Sequence, residues 1–299
     1  MNDHSIIREF TLLQSVINAI PAPIFFKDAD GVYLGCNQAF EEYVGKTREE
    51  LVGKGVFELW DQPLAQKYFE ADDALTKAGG KQSYEAQVKY ADGTLHDVLF
   101  HKAVFHSKSE DIRGLVGVIL DITERKRAET ELEKLATTDS LTGLYNRHYL
   151  YAALDACCKK AKRRGSELAV LFLDLDGFKA VNDSYGHAVG DQLLIAIAQR
   201  LRECVRESDN VARFGGDEFI VVIEDIDNRA QCERVAEQIL HRFRQPFFIE
   251  NKPLMIGTSI GIATYPDNGL DSQSLLKNSD LALYQAKTDG KGKYFCSEV

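Results

Sequence analysis

The stretch Leu168-Ala169-Val170-Leu171-Phe172-Leu173-Asp174-Leu175-Asp176 decides the architecture of the C-terminal half of the chain. Its first six residues are all apolar, which reads as a central strand of a sheet covered on both faces. A strand's period of two puts Asp174 and Asp176 on one side, at the carboxyl end where the core gives way to a cleft. A second stretch, Arg213-Phe214-Gly215-Gly216-Asp217-Glu218-Phe219, reads as a tight hairpin. Its two glycines are expected to supply positive φ and a close backbone approach, and two consecutive acids follow them. Taken alone, Gly-Gly-Asp is also ordinary solvated turn chemistry. If the hairpin pairs beside the apolar strand, Asp217 approaches Asp174, and two carboxylates about 4 Å apart repel by about 4 kcal/mol at an effective dielectric of ~20. A Mg²⁺ ion with hard oxygen ligands and room for phosphate oxygens would neutralise them. Spacing alone leaves two separate surface acids as the other reading.

The remainder of the chain bounds the possibilities. Its 299 residues suffice for two domains and a linker, each domain with its own core. Lys+Arg 36 against Asp+Glu 46 gives a net charge of -10, which disfavours groove binding to DNA or RNA and leaves small nucleotides open. The cysteines Cys36, Cys157, Cys158, Cys204, Cys232 and Cys296 show neither a C-x-x-C pair nor a neighbouring His at zinc spacing, and are expected to be reduced, mostly buried thiols. No uninterrupted apolar run is long enough for a signal or a membrane span, so a cytoplasmic protein without membrane insertion is expected.

In the N-terminal half, Ile6, Ile7, Phe10, Leu13, Ile17 and Ile20 recur at helical spacing, and Pro21 and Pro23 stop the helix. A hairpin follows from Pro23 to Asn37, then short helical pieces to about Ala78, then strands over Gln82–Tyr90, Thr94–His106 and Gly114–Ile122. This order, with Asn37-Gln38-Ala39-Phe40, Gly45-Lys46-Thr47-Arg48-Glu49-Glu50-Leu51-Val52-Gly53 and Asp121-Ile122-Thr123-Glu124-Arg125-Lys126, resembles a PAS sensor domain over roughly residues 11 to 125. The resemblance names a scaffold and leaves its ligand open. His96, His101 and His106 fall on predicted strands, where an axial haem ligand is not expected. Cys36 precedes the helical region and lacks a flavin-adduct motif.

The segment Asp121–Thr138 is rich in Glu, Arg and Lys, with Ala128, Leu132 and Leu135 at i, i+4 and i+7. It reads as an exposed helix with one narrow apolar seam, either a solvated spacer or a signalling helix through which two copies pair. The expected domains are residues 1–124 (sensor with N-terminal helix), 125–138 (linker) and 139–299.

The C-terminal domain reads as Leu141-Thr142-Gly143-Leu144-Tyr145-Asn146-Arg147 opening a helix, then strand, helix, hairpin, helix, strand and helix, an α+β arrangement close to a ferredoxin-like order. The run Asp174-Leu175-Asp176-Gly177-Phe178-Lys179-Ala180-Val181-Asn182-Asp183-Ser184-Tyr185-Gly186-His187-Ala188-Val189-Gly190-Asp191 and the Gly215–Glu218 turn resemble the GGDEF family, the diguanylate cyclases. The resemblance implies GTP as substrate, cyclic di-GMP as product and Mg²⁺, with Mn²⁺ as a substitute, as cofactor. Asp174, the carbonyl of Leu175 and Asp217 are the implied metal ligands, with Glu218 completing the acidic site. Asp217, Glu218 and Lys179 are the implied catalytic residues, and spacing does not rank the two acids as proton acceptor. The implied substrate contacts are Gly177, Phe178 and Lys179 with the triphosphate, Asn182 and Asp191 with the guanine edge, and His187, Gly215 and Gly216 beside them.

Further on, Ala282-Leu283-Tyr284-Gln285-Ala286-Lys287-Thr288-Asp289-Gly290-Lys291 resembles the family's phosphate-binding end, which assigns Lys287 and Lys291 to the phosphates. The family more often has Arg then Asn after that Gly, where this chain has Lys291-Gly292. A lysine supplies charge without the bidentate fork, which bears on triphosphate affinity. Arg206-Glu207-Ser208-Asp209 places an R-x-x-D at the offset of the family's inhibitory product site; as a bare pattern it also fits an exposed helix pair. Two bound GTP must face each other, so the resemblance implies a homodimer. The competing expectation is a cyclic di-GMP receptor without catalysis.

Overall fold

A computed structural model of the chain describes residues 3–106 and 113–298. By its internal contacts the chain divides into two units, Met1–Thr130 and Glu131–Val299. Among the described residues, no helix is long and apolar enough to cross a membrane.

The first unit begins with helix α1 (Asp3–Asn18), strands β1 (Ile24–Asp28) and β2 (Tyr33–Cys36), and helices α2 (Gln38–Val44), α3 (Arg48–Leu51), α4 (Val56–Leu59) and α5 (Gln62–Ala78). Strands β3 (Lys81–Lys89), β4 (Leu95–His106) and β5 (Arg113–Asp121) complete an antiparallel sheet of order β2-β1-β5-β4-β3. Asn37 fixes the junction after β2. Its Oδ1 accepts from the N–H of Ile24 and Phe40, capping α2, while its Nδ2 donates to the carbonyls of Ile17, Ile20 and Ala22. One side chain thereby ties the end of α1 to the sheet. Of the described apolar residues in and just after α1, Phe10, Leu13 and Ile20 are nonetheless exposed, while Ile17 is half-buried. His96, His101 and His106 lie on β4.

Helix α6 (Thr123–Thr137) leaves the sheet where Asp121 Oδ1 accepts from the N–H of Thr123. Its Leu132 and Leu135 are exposed, the narrow seam that the sequence indicates.

The second unit runs β6 (Tyr145–Asn146), α7 (Arg147–Arg164), β7 (Glu167–Asp176), α8 (Phe178–Tyr185), α9 (His187–Glu203), β8 (Asn210–Gly215), β9 (Glu218–Ile226) and α10 (Arg229–Phe243). It ends with β10 (Phe247–Ile249), β11 (Lys252–Leu254), β12 (Gly257–Tyr265), α11 (Ser272–Thr288) and β13 (Tyr294–Cys296). The main sheet has the order β13-β12-β7-β9-β8-β6, which puts β7 near its middle. Side chains of β7 alternate between two cores. Ala169, Leu171, Leu173 and Leu175 pack with α9 and α10, whereas Leu168, Val170 and Phe172 pack with α7 and α11. Burial on both faces is why the strand is apolar throughout.

The segment expected to open the helix is instead a turn and the short strand β6, and Asn146 Oδ1 caps α7 by accepting from the N–H of Tyr149. The helix expected after β7 is divided at Gly186, whose φ of 84° breaks it into α8 and α9. All six cysteines are free, and five are buried. Burial pushes the Cys36 thiol up to about 11 and Cys157 up to about 12, which leaves them protonated and inert.

Candidate functional site

Strands β7 and β9 pair antiparallel with Asp174 opposite Glu218, and the N–H of Leu175 donates to the carbonyl of Asp217 at 3.2 Å. The β8–β9 turn therefore brings Asp217 and Glu218 to the carboxyl end of β7. Of the two turn glycines only Gly216 has a positive φ, 32°. Gly215 pairs with Glu218 as a strand residue, so the expectation of positive φ at both is corrected.

Arg213 holds this turn in shape. Its Nε and Nη2 donate to the carbonyl of Gly216 at 3.0 and 2.8 Å, and its Nη1 reaches Asp139 at 3.2 Å. Asp139 is itself fixed by accepting from the N–H and hydroxyl of Thr142. Neither Arg213 nor Asp139 was singled out from the sequence. The available signal was an Arg two residues ahead of a Gly-Gly turn, facing an acid with a Thr three residues after it.

Because it shares a face with Val170 and Phe172, Asp174 looks toward α11, where Lys287 Nζ stands 2.7 Å from its Oδ2. The charges around it do not balance. Burial, then the neighbouring Asp174, pushes the Asp217 carboxyl above the usual carboxylate range. Burial, then Asp174, Asp217 and Asp280, does the same to Glu218, with Lys287 opposing. Asp280 on α11 is thus a further acid at the site that the sequence reading did not include.

Among the described residues, no three His, Cys, Asp or Glu side chains form a ready-made metal cage. The donors at hand are an open set: two carboxylates, Asp174 and Asp217, and the carbonyl of Leu175. Hard oxygens with surplus negative charge suit a divalent cation that keeps waters and takes up phosphate oxygens, so these residues fit Mg²⁺ or Mn²⁺.

At the start of α8, Gly177 has φ 89° and serves as the N-cap without a side chain. The N–H groups of Phe178 and Lys179 meet no acceptor among the described residues, which leaves them free for an anion at the helix start. The Phe178 ring belongs to the core, and the Lys179 side chain is exposed. Along α8, Asn182 Oδ1 is buried without a hydrogen-bond partner. A Cβ on Gly190 would lie 1.9 Å from that oxygen, so α9 approaches α8 this closely only because residue 190 is glycine. Asp191 and His187 are exposed on α9.

Beyond α11, Lys291 is exposed with φ 63°. The next N–H, that of Gly292, donates to Asp176 Oδ2 at 3.1 Å, and Ser259 Oγ donates to both oxygens of Asp176 at 3.0 Å. Asp176 thereby anchors the segment that bears Lys291. Arg206 and Asp209 form a turn in which Asp209 Oδ2 accepts from the N–H of Arg206 at 2.9 Å, rather than an exposed helix pair. The Arg206 side chain is exposed, and Asp209 Oδ1 is buried without a partner.

Residues 136–293 match the family model described as diguanylate cyclase, GGDEF domain, and residues 17–127 match that of the PAS fold. A diguanylate cyclase of Vibrio cholerae is 30% identical over 291 residues, which cover 96% of this chain and 89% of that protein. The cyclic di-GMP phosphodiesterase PdeR of Escherichia coli is 32% identical over 282 residues, 94% of this chain but 42% of PdeR. The chain spans less than half the length of several curated relatives it matches. Among solved structures, the GGDEF domain of TpbB (YfiN) from Pseudomonas aeruginosa superposes with a TM-score of 0.53 at 39% identity, over 54% of this chain and 94% of that one. The coiled coil and GGDEF domain of DgcB from Caulobacter crescentus, solved with c-di-GMP, gives 0.53 at 28% identity, over 58% and 93% of the respective chains. With an acidic tip on β7, a Gly-Gly turn bearing two more acids and a match across both units, the chain belongs to the GGDEF diguanylate cyclase family and carries a PAS fold ahead of its GGDEF domain.

Proposed function

We propose that this chain condenses two GTP into cyclic di-GMP and pyrophosphate, under control of its PAS domain. The observation that carries this reading is the convergence of Asp174, Asp217 and Glu218 with Lys287 as counter-charge, beside free N–H groups at the start of α8.

Asn182 and Asp191 hold the guanine edge, the carboxylate accepting from N1–H and N2–H₂ and the amide donating to a ring acceptor. The N–H groups of Phe178 and Lys179, with Lys287 and Lys291, hold the triphosphate and spread its charge. Asp174, Asp217 and the carbonyl of Leu175 would hold Mg²⁺. When bound, such an ion supplies a lowered pKa for the attacking hydroxyl and charge neutralisation at the phosphoryl oxygens. Glu218 or Asp217 takes the proton from the 3′-hydroxyl, and their upward-shifted carboxyls suit a base better than ordinary ones. Each domain holds one GTP, so the 3′-hydroxyl of one meets the α-phosphate of the other across a homodimer. Helix α6 passes the sensor's state to the cyclase, and product at Arg206 and Asp209 feeds back on it. Inserting residues that break the helical phase of α6 uncouples sensor from output.

The test is incubation of the purified full chain with GTP and Mg²⁺, resolving products against authentic cyclic di-GMP. Formation of cyclic di-GMP with release of pyrophosphate is expected, and specific activity rises with protein concentration as dimers form. Tight binding of cyclic di-GMP without any turnover of GTP would make the chain a receptor and overturn the reading.

A further inference from the structure

Among the described residues, the most deeply buried charges lie in the PAS domain. Lys27 on β1 and Lys102 on β4 are 2% and 3% exposed, and Asp72 on α5 is 6% exposed. Lys27 Nζ lies 2.6 Å from Asp72 Oδ2, and Lys102 Nζ lies 2.5 Å from Asp72 Oδ1. Neither ammonium meets a second carboxylate among the described residues. Two cations against one anion leave a surplus positive charge in the domain interior, a costly arrangement unless something pairs with it. Burial lowers the pKa of Lys27 by more than Asp72 raises it. At Lys102 burial also works downward, but Asp72 and Tyr84 outweigh it and hold the proton on.

The surroundings are aromatic. The Lys27 ammonium sits 4.4 Å from the ring centroid of Tyr33, and that of Lys102 lies 5.4 Å from Tyr84. A void of about 20 Å³, the size of one water, adjoins both lysines and Asp72. Tyr43, Trp60, Tyr68 and Phe100 separate it from a cavity of about 350 Å³ between α5 and β3. That volume falls in the range of small-ligand sites. Burial raises the pKa of Tyr43 and of Tyr68, so both phenols keep their protons.

We propose that the PAS domain binds an aromatic monocarboxylate, its carboxylate seated against Lys27 and Lys102 and its ring in the α5–β3 cavity. A monoanion brings the buried charge to zero, whereas a phosphate dianion would overshoot. The ring packs among the wall aromatics in the edge-on and stacked geometries they already use with one another, as Trp60 does with Tyr68 and Tyr84 with Phe100. Entry requires the Tyr68 ring to turn aside, joining the void to the cavity.

Benzoate is the probe, titrated calorimetrically into the full chain, with benzamide as the uncharged isostere and chloride balancing ionic strength. Saturable binding of one benzoate per chain is expected, with benzamide at least ~10-fold weaker, the equivalent of one charge-assisted hydrogen bond. Lys102→Met leaves Lys27 and Asp72 as a matched pair, so the variant folds with a thermal midpoint no lower than the parent's, yet binds benzoate at least ~10-fold more weakly. Absence of saturable benzoate binding overturns the proposal, as does equal affinity for benzamide. Undiminished binding by a folded Lys102→Met chain does the same, and if that variant does not fold the benzoate–benzamide comparison in the parent decides alone.

Discussion

Lys287 Nζ stands 2.7 Å from Asp174 Oδ2, so the last turn of α11 supplies the counter-charge for the acid at the tip of β7. The helix end favours a cation there. A divalent ion held by Asp174 would compete with Lys287 for one carboxylate oxygen, and on the proposed function the lysine would then turn to the phosphates of GTP. In Lys287→Gln the KM for GTP rises by ~10-fold or more through loss of a charge-assisted contact. Mg²⁺ alone raises the thermal midpoint of this variant by more than it raises the parent's. Equal Mg²⁺ shifts in the two proteins would refute the counter-ion role.

Glu218 and Asp217 have folded-state pKa values above their ordinary ones, so the folded protein binds protons more tightly than the unfolded chain. The sign follows from linkage: stability falls as pH rises from the ordinary carboxylate range through the raised values. Glu218→Gln removes this repulsion. At neutral pH the variant's thermal midpoint rises above the parent's, by an amount kept small by solvent screening of this half-exposed group, while turnover drops by at least ~10²-fold. The gain shrinks toward zero as pH falls to about 4. Thermal melts across that pH series check it, and a variant less stable than the parent at neutral pH would contradict the electrostatic account.

Gly190 allows the close approach that leaves Asn182 Oδ1 buried, 1.9 Å from where a Cβ would be. Gly190→Ala displaces the Asn182 amide. Steady-state kinetics are expected to show a KM for GTP raised by ~10-fold, the worth of about one hydrogen bond, with kcat within ~3-fold of the parent. A change confined to kcat would remove Asn182 from substrate binding.

The exposed Arg206 side chain makes no hydrogen bond or ion pair among the described residues; only its backbone engages Asp209, the N–H donating to Asp209 Oδ2 and the carbonyl accepting from the Asp209 N–H. Arg206→Ala should leave initial turnover unchanged and abolish inhibition by added cyclic di-GMP. Progress curves that slow alike in variant and parent would rule out a product site at this turn.

The strand pattern of the sensor sheet and the apolar β7 were legible because each follows from local periodicity and burial. The sequence led Asp217 toward Asp174 only on the supposition that the hairpin lies beside β7; in the fold that hairpin does pair with β7, with Glu218 as the residue opposite Asp174. Contacts between remote positions were not legible. Arg213 and Asp139 lie 74 residues apart, and no local spacing announces a bond between them. Asp176 shares a face with Asp174, yet Ser259 and Gly292 claim it, partners that only the folded sheet brings near. The hairpin β10–β11 and the edge strands β6 and β13 were missed because segments of two or three residues carry too little pattern. The apolar stripe of α1 shows the converse, since helical periodicity reports a shared face without saying what covers it.

The central claim is that the tip of β7 and the Gly-Gly turn act as one site for a divalent cation and GTP. Calorimetric titration of Mn²⁺ with a non-hydrolysable GTP analogue into the parent, Asp174→Asn and Asp217→Asn chains tests it most directly. Both variants are expected to stay folded and each to lose at least ~10²-fold in metal-dependent affinity, since either carboxylate alone is an incomplete ligand set. Binding of Mn²⁺ and nucleotide by either variant as tightly as by the parent would contradict the account.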